Sequence, residues 1–179
     1  MTPRVPGIEP SDWARSQLVL RALMLLGPVA ALLASGPTGH AAPWWLVGVV
    51  AALAGVWAWY TDVPFGAAPL LVVIGWWAAA LGSTTSAWLL VAAAALLVAH
   101  VAAVLASYGP PAMPVDRAVT RLWVRRGALV LLTAPVAWGA ARALRDQPEQ
   151  PGIWVLGVAV ACVATLIATA ALRTDQEER

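Results

Sequence analysis

One cysteine, two histidines and no lysine occur among the 179 residues of this chain, and only 11% of them are charged. The lone Cys162 cannot close an intrachain disulfide, and its apolar surroundings make it a small buried hydrophobe rather than a reactive thiol. Paired-carboxylate sites, HExxH, GxSxG, CxxC and a phosphate-binding glycine loop are all missing. A hydrolase or metal-dependent transferase needs acids, histidines or cysteines converging at one depth, and the inventory here is too poor for that. The expectation is therefore a non-enzymatic protein with no catalytic residues, no metal ligands and no cofactor site.

A soluble domain carries about 25% charged residues, and this chain falls far below that. Hydrophobic residues make up 61% of it, and the mean hydropathy is +0.77. The missing lysine and the abundance of alanine, valine and leucine match the usage of a GC-rich genome, such as an actinobacterial one. All eleven basic residues are arginines at or near the ends of apolar stretches. The high pI thus reflects flanks of membrane spans rather than a nucleic-acid face.

Six such stretches are readable, at about 18–36, 44–60, 66–82, 87–106, 126–142 and 153–172. Crossing a hydrocarbon core of ~30 Å takes about 20 apolar residues, with roughly 17 as the lower bound. Backbone groups inside a bilayer must be bonded internally, so each stretch is predicted to be a helix; nothing alternates as barrel strands do. Ser35-Gly36-Pro37-Thr38-Gly39, the turn at 61–66, Gly82-Ser83-Thr84-Thr85-Ser86 and the Tyr108-to-Pro114 segment supply the breaks. Pro28, Pro69 and Pro135 predict kinks. The first stretch is longer than a signal-peptide core and is interrupted by Arg21, so it reads as a retained helix.

With the N-terminus in the cytoplasm, nine arginines fall inside and only Arg142 and Arg145 outside, as the positive-inside rule requires. The eleven tryptophans cluster near span ends, where indoles favour the headgroup layer. The expected architecture is an all-α integral membrane bundle of about six transmembrane helices in the cell (inner) membrane, with both termini cytoplasmic. It comprises a cytoplasmic segment over 1–17, a transmembrane domain over 18–172 with an arginine-rich cytoplasmic loop at 107–125, and a tail at 173–179.

Arg117, Arg121 and Arg125 recur every four residues and Arg126 follows, which makes one basic stripe on a helix opposite Val115, Val119, Leu122 and Trp123. The stripe reads as a topology determinant bound to lipid headgroups, or as a docking surface for a cytoplasmic protein. His100 is the one ionisable group well inside a span, a packing residue or a proton- or ligand-handling site. Asp62 reads as a turn or helix-capping residue, and Arg21 as a side chain snorkelling to phosphates. Gly157, Ala161, Thr165 and Thr169 run at i, i+4 spacing down the last stretch, a pattern for helix packing or self-association.

The stretch Trp59-Tyr60-Thr61-Asp62-Val63-Pro64-Phe65-Gly66, the Trp76-Trp77 pair, and Gly109-Pro110-Pro111 leading into Arg121-Leu122-Trp123-Val124-Arg125-Arg126 resemble a family. It is the group of small uncharacterised actinobacterial membrane proteins often encoded beside a MoxR-type AAA ATPase and a von Willebrand factor A-like protein. Its members tend to show Pro-Asp-Ser where this chain has Thr61-Asp62-Val63. The resemblance implies a membrane architecture and such a neighbourhood, and brings no catalytic residues with it. The expected role is to anchor or assist a membrane-associated assembly. The alternative is a small-solute transporter or a substrate-binding subunit, since the architecture is similar to the membrane subunits of vitamin uptake systems.

Overall fold

The computed structural model describes residues 13–60, 66–81, 86–110, 112–144 and 159. Among the described residues every regular element is helical: α1 Arg15–Leu33, a 3₁₀ turn Gly36–Thr38, α2 Trp44–Trp59, α3 Ala68–Leu81, α4 Trp88–Ala106, α5 Arg117–Leu131 and α6 Thr133–Leu144. The chain divides into two compact units, residues 1–142 and 143–179, and α1 to α5 belong wholly to the first. The predicted turn after the first stretch is the 3₁₀ turn, closed by Gly39 at φ 85°, a left-handed conformation that side chains disfavour.

Among the described residues two helical segments are long and apolar enough to cross a membrane. One runs over Arg15–Thr38, counting the 3₁₀ turn, with 24 residues; the other is α4, with 19. The apolar α2 and α3 have 16 and 14 residues, about 24 and 21 Å at the helical rise. That is short of a ~30 Å core. Where six spans are expected, the described residues thus carry two helices of spanning length. The sixth stretch, 153–172, holds Cys162, Gly157, Ala161, Thr165 and Thr169 and lies outside the described residues, as does Asp62.

The fifth stretch differs from its predicted outline. Helix begins at Arg117, as the arginine spacing predicts, but the stretch expected to kink at Pro135 breaks outright at Leu132. The cause is Pro135: it has no N–H for the Leu131 carbonyl four residues back, and its ring crowds that carbonyl. Thr133 Oγ1 instead donates to the Val130 carbonyl at 2.7 Å, satisfying one end of the interrupted ladder. Pro28 stands within an unbroken α1, and Pro69 is in the first turn of α3, where no N–H is needed. Replacing Pro135 with alanine is expected to join α5 and α6 across the break. Amide hydrogen exchange at residues 132–136 should slow at least roughly tenfold; unchanged exchange would place the cause of the break elsewhere.

Helix α1 is the hub of the first unit and packs on α2, α3 and α4, while α5 reaches the assembly through α4. Two buried clusters lie along it. Toward its C-terminus, Ala31, Leu32 and Ala34 pack with Leu46, Val50, Val73, Trp77 and Ala92. Toward its N-terminus, Met24 packs with Trp57, Ala58, Ala99, Ala102 and Ala106. Small residues dominate α4 because its backbone runs close to α1: a Cβ built on Gly27 lies 2.7 Å from the Ala95 carbonyl oxygen and 2.7 Å from the Ala99 Cβ.

Tryptophans divide into two kinds. Trp44 is 86% exposed, and Trp45, Trp59 and Trp88 are exposed as well. Trp57 and Trp77 are core residues instead of interface anchors, which corrects the sequence-based expectation for these two. Trp77 Nε1 donates to the Ala31 carbonyl at 2.9 Å, and Trp76 Nε1 to Ser35 Oγ at 3.2 Å. Both bonds satisfy ring N–H groups that burial would otherwise leave without water.

Candidate functional site

Helix α5 is built to present arginines. Asp116 is extended and caps it, its Oδ1 accepting from the Ala118 N–H at 3.3 Å, and Thr120 Oγ1 donates to the Asp116 carbonyl. Arg117, Thr120, Arg121 and Val124 follow at i, i+3, i+4 and i+7, which is one face of a helix. Each four-residue step overshoots a full turn by about 40°, so Arg125 has rotated off the face that Arg117 begins.

The face looks onto the start of α1. Ser16 Oγ accepts the Val115 N–H at 3.3 Å across 99 residues of sequence, tying the entry of α5 to the first turn of α1. Arg15, Ser16, Pro114, Val115, Arg117, Thr120, Arg121 and Val124 together line a groove of about 560 Å³. Three arginines and two hydroxyl-bearing residues contribute to walls that are mostly apolar, with proline and valines between them. Both helices begin here, and α1 has no side-chain cap at Ala14. The uncapped start of α1 therefore adds orphan N–H groups and its positive dipole end to the arginines, whereas the start of α5 is already served by Asp116.

Charge among the described residues is one-sided. Seven of the eleven arginines are among the described residues, against a single carboxylate, Asp116, which serves its own helix. Among the described residues the Arg15, Arg117 and Arg121 side chains make no hydrogen bond or ion pair. Arg125 is exposed and does not line the groove. The Arg126 guanidinium lies 5.6 Å from the Trp123 ring centroid, and Trp123 Nε1 donates to Tyr108 Oη at 3.3 Å. That contact fastens α5 to the end of α4. The predicted stripe of four arginines thus splits: two enter the groove, joined by Arg15, which the stripe alone did not reveal.

Arg21 departs from its predicted role. It is 8% exposed and does not snorkel outward. Its Nη1 donates to the carbonyls of Ala58 and Trp59, the latter at 3.1 Å. Its guanidinium also lies 4.2 Å from the Trp13 ring centroid, and Trp13 in turn packs on Trp59 at 5.3 Å. Carbonyls in the last turn of α2 have no partner within their own helix, and Arg21 supplies one from α1.

His100 is exposed on α4, next to the buried Ala99 and Ala102. A transporter would require His100, Thr133, Thr165 and Thr169 to converge; Thr133 is exposed and its Oγ1 donates to the Val130 carbonyl, and Thr165 and Thr169 lie outside the described residues. No group of three or more histidine, cysteine, aspartate or glutamate side chains gathers among the described residues. No family model, curated protein or solved structure matches this chain.

Proposed function

We propose that the protein is a multi-pass integral membrane protein that anchors or assists a membrane-associated assembly without catalysing a reaction itself. The basic groove and exposed face of α5 carry this reading. A cluster of arginines unmatched by carboxylates among the described residues serves docking to an anionic surface, and the two spanning-length helices hold that cluster at the membrane. The orientation that places nine arginines inside puts this face in the cytoplasm. The weak resemblance to proteins encoded beside a MoxR-type ATPase makes a soluble ATPase-associated complex one candidate partner.

The alternative, a small-solute transporter, needs polar groups converging near the middle of the bundle. His100 and Thr133 are both exposed rather than turned into the packed bundle, so the anchoring reading is preferred. Purifying the tagged protein from its native membrane in mild detergent is expected to bring down a stoichiometric cytoplasmic protein. Substituting Arg117, Arg121 and Arg125 together with glutamine should cut recovery of that protein at least roughly tenfold, from about 1 kcal/mol per arginine. Full recovery with the triple variant would remove the basic face as the docking surface.

A further inference from the structure

We propose that the groove between α1 and α5 is a site for the phosphate of one anionic phospholipid, gripped by Arg15, Arg117 and Arg121. The inference rests on the membrane reading above and gives the groove a ligand of its own. Three arginines from two separate helices line one groove, and none has an anionic partner among the described residues. Arginine suits a phosphodiester because its planar fork delivers paired N–H donors to two oxygens. Ser16 and Thr120 line the same space, although each hydroxyl already serves the backbone.

Two features favour a lipid over a free phosphate ion. Pro114, Val115 and Val124 line the groove beside the arginines, which gives glycerol and the first acyl carbons an apolar wall. Arg15 also opens a helical segment long and apolar enough to span, so the groove lies where that segment would enter the headgroup layer. A free ion would gain nothing from the apolar wall.

The arrangement differs from diffuse attraction between a basic face and an anionic surface. Diffuse attraction weights every exposed arginine on α5 alike, whereas a built site separates Arg117 and Arg121 from Arg125, one turn further along. Only the built site gives one lipid per chain.

Native mass spectrometry of the detergent-purified protein tests this with phosphatidylglycerol, phosphatidylcholine and inorganic phosphate as probes. The expected result is one retained phosphatidylglycerol per chain and no comparable phosphatidylcholine adduct. Arg15→Gln, Arg117→Gln and Arg121→Gln should each weaken retention about fivefold or more, and Arg125→Gln should leave it near the wild-type value. Arg117→Lys, which keeps the charge and loses the fork, should fall between; it also serves if a glutamine variant does not fold. Equal losses at Arg125 and Arg121 would overturn the built site in favour of diffuse attraction. Equal binding of phosphatidylcholine would overturn anion recognition, and displacement of the lipid by inorganic phosphate would overturn the lipid as occupant. A protein that leaves the membrane fraction without detergent would overturn the membrane reading itself. A protein that needs detergent yet retains no lipid would overturn only the site.

Discussion

Arg21→Met is expected to lower the melting temperature of the purified protein by roughly 5–15 °C, the largest effect of any single polar substitution in α1. Methionine keeps most of the length of the side chain and its apolar stem but removes the donors. The carbonyls of Ala58 and Trp59 then lose a partner that reaches them from another helix. A hydrogen bond to a charged group contributes about 1.5–3 kcal/mol, and a buried carbonyl left without one costs a comparable amount. For a chain of this size each kcal/mol shifts the midpoint by about 2–4 °C, which gives the stated range. Removing the guanidinium also releases Trp13 from its cation contact, worth a further ~0.5–2 kcal/mol. Lysine at this position reaches one carbonyl at a time and should give an intermediate midpoint. Intrinsic tryptophan fluorescence follows the transition, because Trp13, Trp57 and Trp59 surround or adjoin the contact. A methionine variant melting within a degree of wild type would show that water, not Arg21, satisfies the end of α2.

Arg21 also marks where the sequence stops being informative. Hydropathy and arginine placement were enough to outline apolar helices, and α1, α2, α3 and α4 fall close to the first four stretches. What an arginine near a helix end does depends on its neighbours in space. A snorkelling arginine and one folded back onto a helix C-terminus have the same local sequence, and only the juxtaposition of residues 21 and 58 separates them. The same holds for Trp57 and Trp77. Tryptophan near a stretch boundary is the common interfacial signal, yet these two turn inward: Trp77 donates to the Ala31 carbonyl, and Trp57 packs against Gly66, where no Cβ stands in its way.

The groove was half legible. Spacing of four identifies Arg117, Arg121 and Arg125 as neighbours on a helix, but the 40° drift per step decides which of them share a wall. Arg15 joins them only because Ser16 holds Val115, a contact between residues 99 apart that no local pattern announces. The break at Leu132 was legible in principle, since Pro135 names the carbonyl it leaves behind. A kink was expected there, but hydropathy averages over the position and reads one continuous stretch, so a full break was not.

Gly27→Ala is expected to destabilise the protein where the same change at Gly48 or Gly75 does not, and the sign of that contrast tests the packing of the whole first unit. In mid-helix, alanine in place of glycine adds about 1 kcal/mol of helix stability. At Gly48 and Gly75 an added methyl meets nothing within 4 Å, so that gain should survive. At Gly27 the methyl arrives 2.7 Å from a backbone carbonyl and from the Ala99 Cβ. Ala95 cannot move its carbonyl without unwinding α4, so the two helices must separate by an appreciable fraction of an ångström. A gap of 0.5–1 Å forfeits about a quarter to a half of each dispersion contact it opens. Along α1 and α4 those contacts include Met24, Ala31, Ala92, Ala99 and Ala102. Overpacking of this kind costs about 1–3 kcal/mol, which outweighs the propensity gain, and leucine at the same position should cost more still. The displacement also passes outward. Gly127 packs on Val101, and Trp123 is bonded to Tyr108, so α5 is carried by α4 while Arg15 is carried by α1. Spreading α1 from α4 therefore widens the groove that joins Arg15 to Arg117 and Arg121. Thermal melts of the three alanine variants should place Gly27→Ala below wild type and the other two at or above it. A Gly27→Leu protein that still folds should also hold anionic lipid less tightly, although it keeps every arginine.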